Sequence, residues 1–232
     1  MPQHTSHEFE AELRRLKERL LAMGGRCESS IAAAVRALET RNPELASAVE
    51  RDDRVIDADE LAIDELAVRI LALRQPVGRD LRFLMTALKV VTDLERIGDE
   101  AVNVAERARD LSAAVELPES QALLGPMAAV ATRQLRRALD AFVEEDASKA
   151  ADVLARDDEV DELYGRIVRA TLAYMAAHPQ NVEAAMRVTS CAKYLERIGD
   201  HATNIAEMVV YLVDGVDVRH GGARSRESAG TR

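Results

Sequence analysis

Eight carboxylates in this chain stand at a spacing that could hold cations. Glu95 and Asp99 lie four residues apart, Glu196 and Asp200 repeat them, and Asp53/Asp57 and Asp157/Asp161 have the same four-residue step. On a helix, residues i and i+4 lie on one face, so each pair forms an acidic strip, which Asn103 and Asn204 extend by one more turn. Glu95 also continues an apolar stripe through Leu84, Leu88 and Val91, which predicts that the carboxylates occupy core-type positions. Asp53 and Asp57, followed by Glu60 and Asp64, run in the same way into Ala67 and Leu71.

Antiparallel helices joined by a short turn bring together residues equally far from that turn. Around a midpoint between Pro76 and Val77, Asp57 and Glu95 lie 19.5 and 18.5 residues away, and Asp53 and Asp99 lie 23.5 and 22.5 away. Around Pro179, Asp161 and Glu196 are 18 and 17 residues away, and Asp157 and Asp200 are 22 and 21. The same facing register therefore occurs twice. Carboxylates meeting between packed helices repel one another unless protonated, solvated or neutralised by cations. All-oxygen donors suit Mg²⁺, Ca²⁺, Mn²⁺ and Fe³⁺, and Zn²⁺ also accepts carboxylates. The competing reading is a solvated acidic face, with Arg96 and Arg197 as ordinary surface ion-pair partners.

The elements that position these residues are helices. Breakers fall at Asn42-Pro43, Gln75-Pro76, Pro118, Glu145-Asp146 and His178-Pro179, and between them the pattern has helical period. Leu94 to Glu106 recurs as Leu195 to Glu207 with ten of thirteen positions identical at an offset of 101, and both copies open on Leu-Glu-Arg-Ile-Gly-Asp. A weaker echo relates Asp53–Asp57 to Asp157–Asp161, and Pro76 answers Pro179. The unit is three helices, duplicated. The expected fold is all-α: two tandem three-helix bundles of six long antiparallel helices, spanning residues 8–112 and 118–215, with 216–232 as a disordered tail. Gly98 and Gly199 each cost roughly 1 kcal/mol in a helix interior, which calls for close helix approach or room for a ligand.

Composition narrows the function. With 47% hydrophobic residues, 3% aromatics and no Trp, the cores are built from aliphatic residues and alanine, and no base-stacking surface is expected. A net charge of −10 leaves no basic footprint for nucleic acid. Cys27 and Cys191 match no metal or redox spacing and read as buried residues in a reducing compartment. Residues 1–19 are polar, without the apolar core of a signal peptide, and no uncharged run approaches a membrane span; a cytoplasmic protein that meets a membrane only through partners is expected. There is no phosphate-binding Gly-rich loop, nucleophile elbow, Cys–His arrangement or Glu-x-x-His pair, so no catalytic residues are assigned. His201 stands where the first copy has Glu100, which points to a structural or exposed histidine rather than a ligand.

With its two Leu-Glu-Arg-Ile-Gly-Asp segments, the chain resembles the PhoU family of bacterial phosphate uptake. The resemblance runs from Met23-Gly24-Gly25 through Arg74-Gln75-Pro76 and Asp80-Leu81-Arg82 to Tyr211-Leu212-Val213-Asp214-Gly215 and Arg219-His220. It implies metal-binding (Glu or Asp)-x-x-x-Asp motifs at Asp53/Asp57, Glu95/Asp99, Asp157/Asp161 and Glu196/Asp200. Metal ions, in single or multinuclear sites, are the implied cofactor, with iron or zinc favoured over Mg, Mn or Ca. It further implies a non-catalytic negative regulator that links a phosphate ABC transporter, through its ATPase component, to a sensor histidine kinase. The expected assembly is a homodimer, peripheral to the inner membrane through the transporter. A metal-dependent enzyme with a multinuclear carboxylate site and a metal-free helical adaptor are the alternatives.

Overall fold

The computed structural model describes residues 2–215, with side chains from His7 onward, so the expected disordered tail at 216–232 lies outside the described residues. Among the described residues, seven of eight α-helices fill the six expected bundle positions. The first bundle comprises α1 (Pro2–Thr40), α2 (Pro43–Arg74) and α3 (Gly78–Leu111). After the single turn α4 (Pro118–Gln121), the second comprises α5 (Leu124–Glu144), α6 (Ala147–Leu154), α7 (Asp158–Ala177) and α8 (Val182–Asp214). Among the described residues there is no strand, and no helix is long and apolar enough to cross a membrane.

The breakers act as their chemistry dictates. Asn42 caps α2 by accepting a hydrogen bond from the Leu45 N–H, with Pro43 at the first helical position, where its missing donor is not needed. Gln75 ends α2 in the left-handed region at φ 46°. Residues 75–77 are then the whole connection to α3, so the turn midpoint near Pro76 sets the α2/α3 register. Glu145, at φ 53°, ends α5, and Asp146 caps α6 through the Ser148 and Lys149 N–H groups. Met23-Gly24-Gly25 interrupts nothing and lies inside the continuous α1.

One break has no Gly or Pro to announce it. The helix corresponding to α2 stops at Leu154 and restarts at Asp158, leaving Asp157 at the junction. Gln134, a buried polar residue on the apolar face of α5, donates its side-chain N–H to the Arg156 carbonyl at 2.8 Å and so takes up a backbone acceptor freed by the break. Asp157, Asp158, Glu159 and Asp161 thereby gather around the start of α7, where the helix dipole favours negative charge.

The two halves share one continuous cluster of buried apolar residues. α3 packs along α8, α1 lies against α3 and α5, and α5 lies against α8. At one end, Lys17 of α1 reaches across to the Val143 carbonyl at 3.1 Å and to Glu145 at 2.9 Å, and stands over the Phe83 ring, which stacks on Phe142. Arg79 also donates to Glu145 at 2.9 Å. Cys27 and Cys191 are free and buried, and burial pushes both thiols up to about 12, so neither carries thiolate reactivity.

Burial would raise the Glu145 carboxyl, but Lys17 and Arg79 outweigh it and hold the group below its ordinary value. A lowered carboxyl contributes stability at pH above its unfolded value, about 4.3, and loses it as pH falls through the folded value. Glu145→Gln should cost roughly 1–3 kcal/mol at pH 7, the usual loss for charged hydrogen bonds. The deficit should shrink in urea denaturation at pH 3.5. A loss independent of pH would show that the ion pairs are not its source.

Candidate functional site

The α2/α3 hairpin brings the first four sequence-predicted carboxylates into one neighbourhood. Asp53 is half-buried and pushed up to about 6, first by loss of solvent and then by repulsion from Asp57 and Asp99. Glu95 is raised by burial, then by Asp99, and feels Glu60 and Asp57 across the hairpin. Each expected facing pair, Asp53 with Asp99 and Asp57 with Glu95, is therefore electrostatically joined. The cluster is larger than the four-residue motifs indicate. Glu60 is raised by burial and then by Asp64 and Asp57, and Asp64, itself raised by burial, has an unpartnered buried oxygen, Oδ1. Both continue the α2 strip by helical spacing, as the sequence indicates, but without an echo in the second half they are not counted among the expected ligands.

The second cluster joins α7 to α8. Asp161 is raised by burial and then by Asp157 and Glu196; Asp200 is raised by burial and then by Glu196, with Asp161 and Asp157 contributing less. This cluster contains internal partners that the first lacks. Lys193 pairs with Glu196 and stands over the Tyr164 ring, and Thr203 donates to Asp157 at 2.7 Å. In the first cluster the nearby cation is Arg96, more than half exposed, at 3.4 Å from Glu95 and 3.5 Å from Asp99.

Two sequence expectations need correction. The carboxylates are not at core positions: Asp53, Glu95, Asp99 and Glu196 are half-buried, and Asp57, Asp157, Asp161 and Asp200 are exposed. A step of four residues overshoots a helical turn by about 40°, so a strip that begins beside the apolar stripe drifts toward solvent. Of the two readings of Gly98 and Gly199, close helix approach holds, since a methyl group there would lie 3.2 Å from Ile56 and from Val160 respectively. The Gly98 face also lies against Asp53, whose Oδ1 would be 3.1 Å from such a methyl. Finally, the asparagines do not orient the strips. Asn103 donates to Glu100 at 3.1 Å, and Asn204 to Asp93 at 3.4 Å.

Those two acids belong to a polar seam between the halves. Arg197 of α8 pairs with the buried Glu100 of α3 at 2.9 Å, and His201 Nδ1 meets Asp93 Oδ1 at 2.8 Å. His201 thus has the structural place expected of it.

Comparison with known proteins decides the family. The profile of the PhoU domain matches residues 20–108 and again 124–209. The chain belongs to the PhoU family. It is 42% identical over 221 residues to a Pseudomonas putida protein described as a phosphate-specific transport system accessory protein PhoU homolog, covering 95% of this chain and 86% of that one. A Serratia marcescens PhoU accessory protein is 35% identical and covers 97% of this chain and 92% of its own length. The crystal structure of PhoU from Pseudomonas aeruginosa superposes with a TM-score of 0.85 at 42% identity, covering 89% of this chain and 99% of that one. That of the phosphate transport system regulatory protein PhoU from Streptococcus pneumoniae gives 0.83 at 28% identity, covering 90% and 99%. These relatives of the PhoU family are named accessory and regulatory proteins, not enzymes.

The donor chemistry of both clusters fits a hard or borderline cation: oxygen donors only, partly desolvated and mutually repelling. Among the described residues, however, no three His, Cys, Asp or Glu side chains converge closely enough to hold an ion as they stand.

The Asp53 carboxyl gives a pH signature. In the metal-free protein its folded value near 6 exceeds the unfolded value of about 3.9, so ionising it in the native state costs stability. The cost is complete above pH 6 and disappears as pH falls to about 4. Asp53→Asn should therefore raise the Tm at pH 7.5 in the presence of chelator and give little gain at pH 4, read by circular dichroism. Equal melting of the two proteins at both values would contradict this electrostatic account.

Proposed function

We propose that this chain is a non-catalytic accessory protein of a phosphate transport system that restrains the phosphate-starvation response when phosphate is plentiful. It acts from the cytoplasm by contacting the ATPase component of a phosphate ABC transporter and a sensor histidine kinase, reaches the membrane through them, and works as a homodimer. Whole-length similarity to proteins named phosphate-specific transport system accessory proteins supports this reading.

The observation that carries the metal half is the doubled set of facing carboxylates, in which burial first and mutual repulsion second raise Asp53, Glu95, Asp161 and Asp200. Asp53, Asp57, Glu95 and Asp99 would hold one ion or cluster, and Asp157, Asp161, Glu196 and Asp200 the other. Iron or zinc is favoured, and Mg, Mn or Ca would suit the same oxygens. A bound cation would offset the repulsion and tie neighbouring helices together. The failure of any three ligands to converge favours a second reading, a helical adaptor without metal.

Metal analysis separates the two. Protein purified without chelator should contain stoichiometric metal, and Glu196→Ala/Asp200→Ala should lose about half of it and melt several degrees lower. Equal, negligible metal in both proteins with the same Tm would leave the metal-free adaptor. The regulatory half is read by pull-down of the cognate transporter ATPase and histidine kinase, and capture of neither would overturn it.

The two clusters should also differ. Lys193 neutralises Glu196 in the second, so Lys193→Thr, which installs the residue found at position 92 of the first copy, should strengthen divalent-ion binding there. A gain of about threefold to fivefold matches the ~1 kcal/mol of a partly exposed ion pair. Calorimetric titration with Mn²⁺ measures it, and unchanged affinity would remove Lys193 from the site.

A further inference from the structure

α1 and α5 run antiparallel where the two halves meet: Lys17 meets Glu145, Glu28 meets Arg136, and Glu39 lies against Gly125. Toward the Glu39 end they separate around a groove of about 800 Å³. Its floor is apolar and shallow, made by Ile31, Val35 and Ala128, with Ala32 and Ala129 exposed beside them. Its walls carry Arg36, Arg133, Arg136 and Arg137 against only Glu39 and Asp140. Arg136 is paired with Glu28, and Arg133 is 3.7 Å from Glu159; among the described residues, neither Arg36 nor Arg137 has an ion-pair partner. With Arg136 and Arg133 taken up by Glu28 and Glu159, Arg36 and Arg137 are the two of these four arginines left open to a guest, in a chain whose net charge is −10.

We propose that this groove docks an acidic amphipathic helix of a partner protein. Shape and charge point to that occupant. Helices of the groove spend their backbone hydrogen bonds internally, so they offer no edge to an extended segment, whereas an apolar channel between two helices accepts the apolar face of a third. The groove is lined by residues 31–39 of α1, about 14 Å, and 125–140 of α5, about 24 Å, which is room for roughly two to four turns of docked helix. Carboxylates flanking the apolar face of the guest would meet Arg36 and Arg137. The chain's own residues 216–232 are the wrong sign, with four arginines against Asp217 and Glu227. Nucleic acid would find no aromatic stacking surface here.

This surface rests on reading the chain as an interaction protein and is independent of metal, because none of its residues belongs to either carboxylate cluster. The probe is a fluorescein-labelled 18-residue helical peptide with one Leu/Ala face flanked by glutamates, followed by fluorescence anisotropy. Wild-type protein should bind it saturably, at least tenfold more tightly at 50 mM than at 500 mM salt, and at least tenfold more tightly than the same peptide with lysine for glutamate. Arg36→Glu/Arg137→Glu should weaken binding at least tenfold while leaving the Tm unchanged, and Arg36→Gln/Arg137→Gln should give an intermediate loss. Glu196→Ala/Asp200→Ala should bind the peptide as wild type does, so loss of metal and loss of docking are read separately. No saturable binding, or equal binding by wild type and the charge-reversed variant, overturns the proposal. So does sedimentation in which the charge-reversed variant alone dissociates a wild-type oligomer, since the groove would then be filled by a second copy.

Discussion

The packing of α3 along α8 is the constraint on which the rest of the structure depends. These helices carry the two Leu-Glu-Arg-Ile-Gly-Asp segments, and the remaining long helices are arranged around them: α1 and α2 on α3, and α5, α6 and α7 on α8. Such a central pair needs small residues where neighbours come close and large ones where they do not. Ala87, Gly98, Ala101 and Ala105 on α3, and Ala185, Ala192, Gly199 and Ala202 on α8, are fully or nearly fully buried, beside Leu94 and Ile97 and their counterparts Leu195 and Ile198. Interiors of this density transmit displacement rather than absorb it. A shift of α2 or α7 is therefore felt at the helix that also joins the two halves.

Duplication alone would not make that joint. Arg96 and Arg197 are equivalent positions, as are Glu100 and His201, yet Arg197 pairs with Glu100 across the seam while Arg96 has no such pair with His201. A glutamate at position 201 would have stood against Asp93, with like charges in a partly buried place. Histidine there meets Asp93 instead; Asn103 donates to the Glu100 oxygen that Arg197 leaves, and Asn204 shares Asp93 Oδ1 with His201. The copies have diverged where they touch each other and kept their acidic strips where they face α2 and α7. The same divergence separates Lys193 from its counterpart Thr92, so that the second cluster has a close lysine on Glu196 where the first has the longer contacts of Arg96.

Much of this was legible in the sequence. Asn42-Pro43, Gln75-Pro76 and Glu145-Asp146 act locally through capping and positive φ, and a three-residue turn at Pro76 transmits register to residues some twenty positions away on either side. What was not legible depends on contacts between distant segments. The break before Asp158 is bound by Gln134, more than twenty residues earlier, whose polar side chain on an apolar face was its only signal. The exposure of the strips follows from the small overshoot of each four-residue step, which periodicity does not register. Asp93 and Glu100 were equally silent, because neither is repeated and each has its role only beside the opposite helix.

These differences give the two acidic clusters different mechanical situations. In the first half, Asp53, Asp57, Glu60 and Asp64 lie in the interior of an unbroken α2. That helix is fixed at one end by the short Pro76 turn and near the other by the Glu50–Arg109 pair, with Asp59 bound to Arg26 on α1. Repulsion there cannot be relieved by fraying the helix, and together with burial, the larger cause, it leaves the Asp53 and Glu95 carboxyls raised. In the second half the break before α7 releases Asp157 to a helix start, where the dipole and Thr203 both receive it, and Lys193 offsets Glu196. Equal motifs thus hold unequal stress. A cation held between α2 and α3 would offset the larger share of that repulsion.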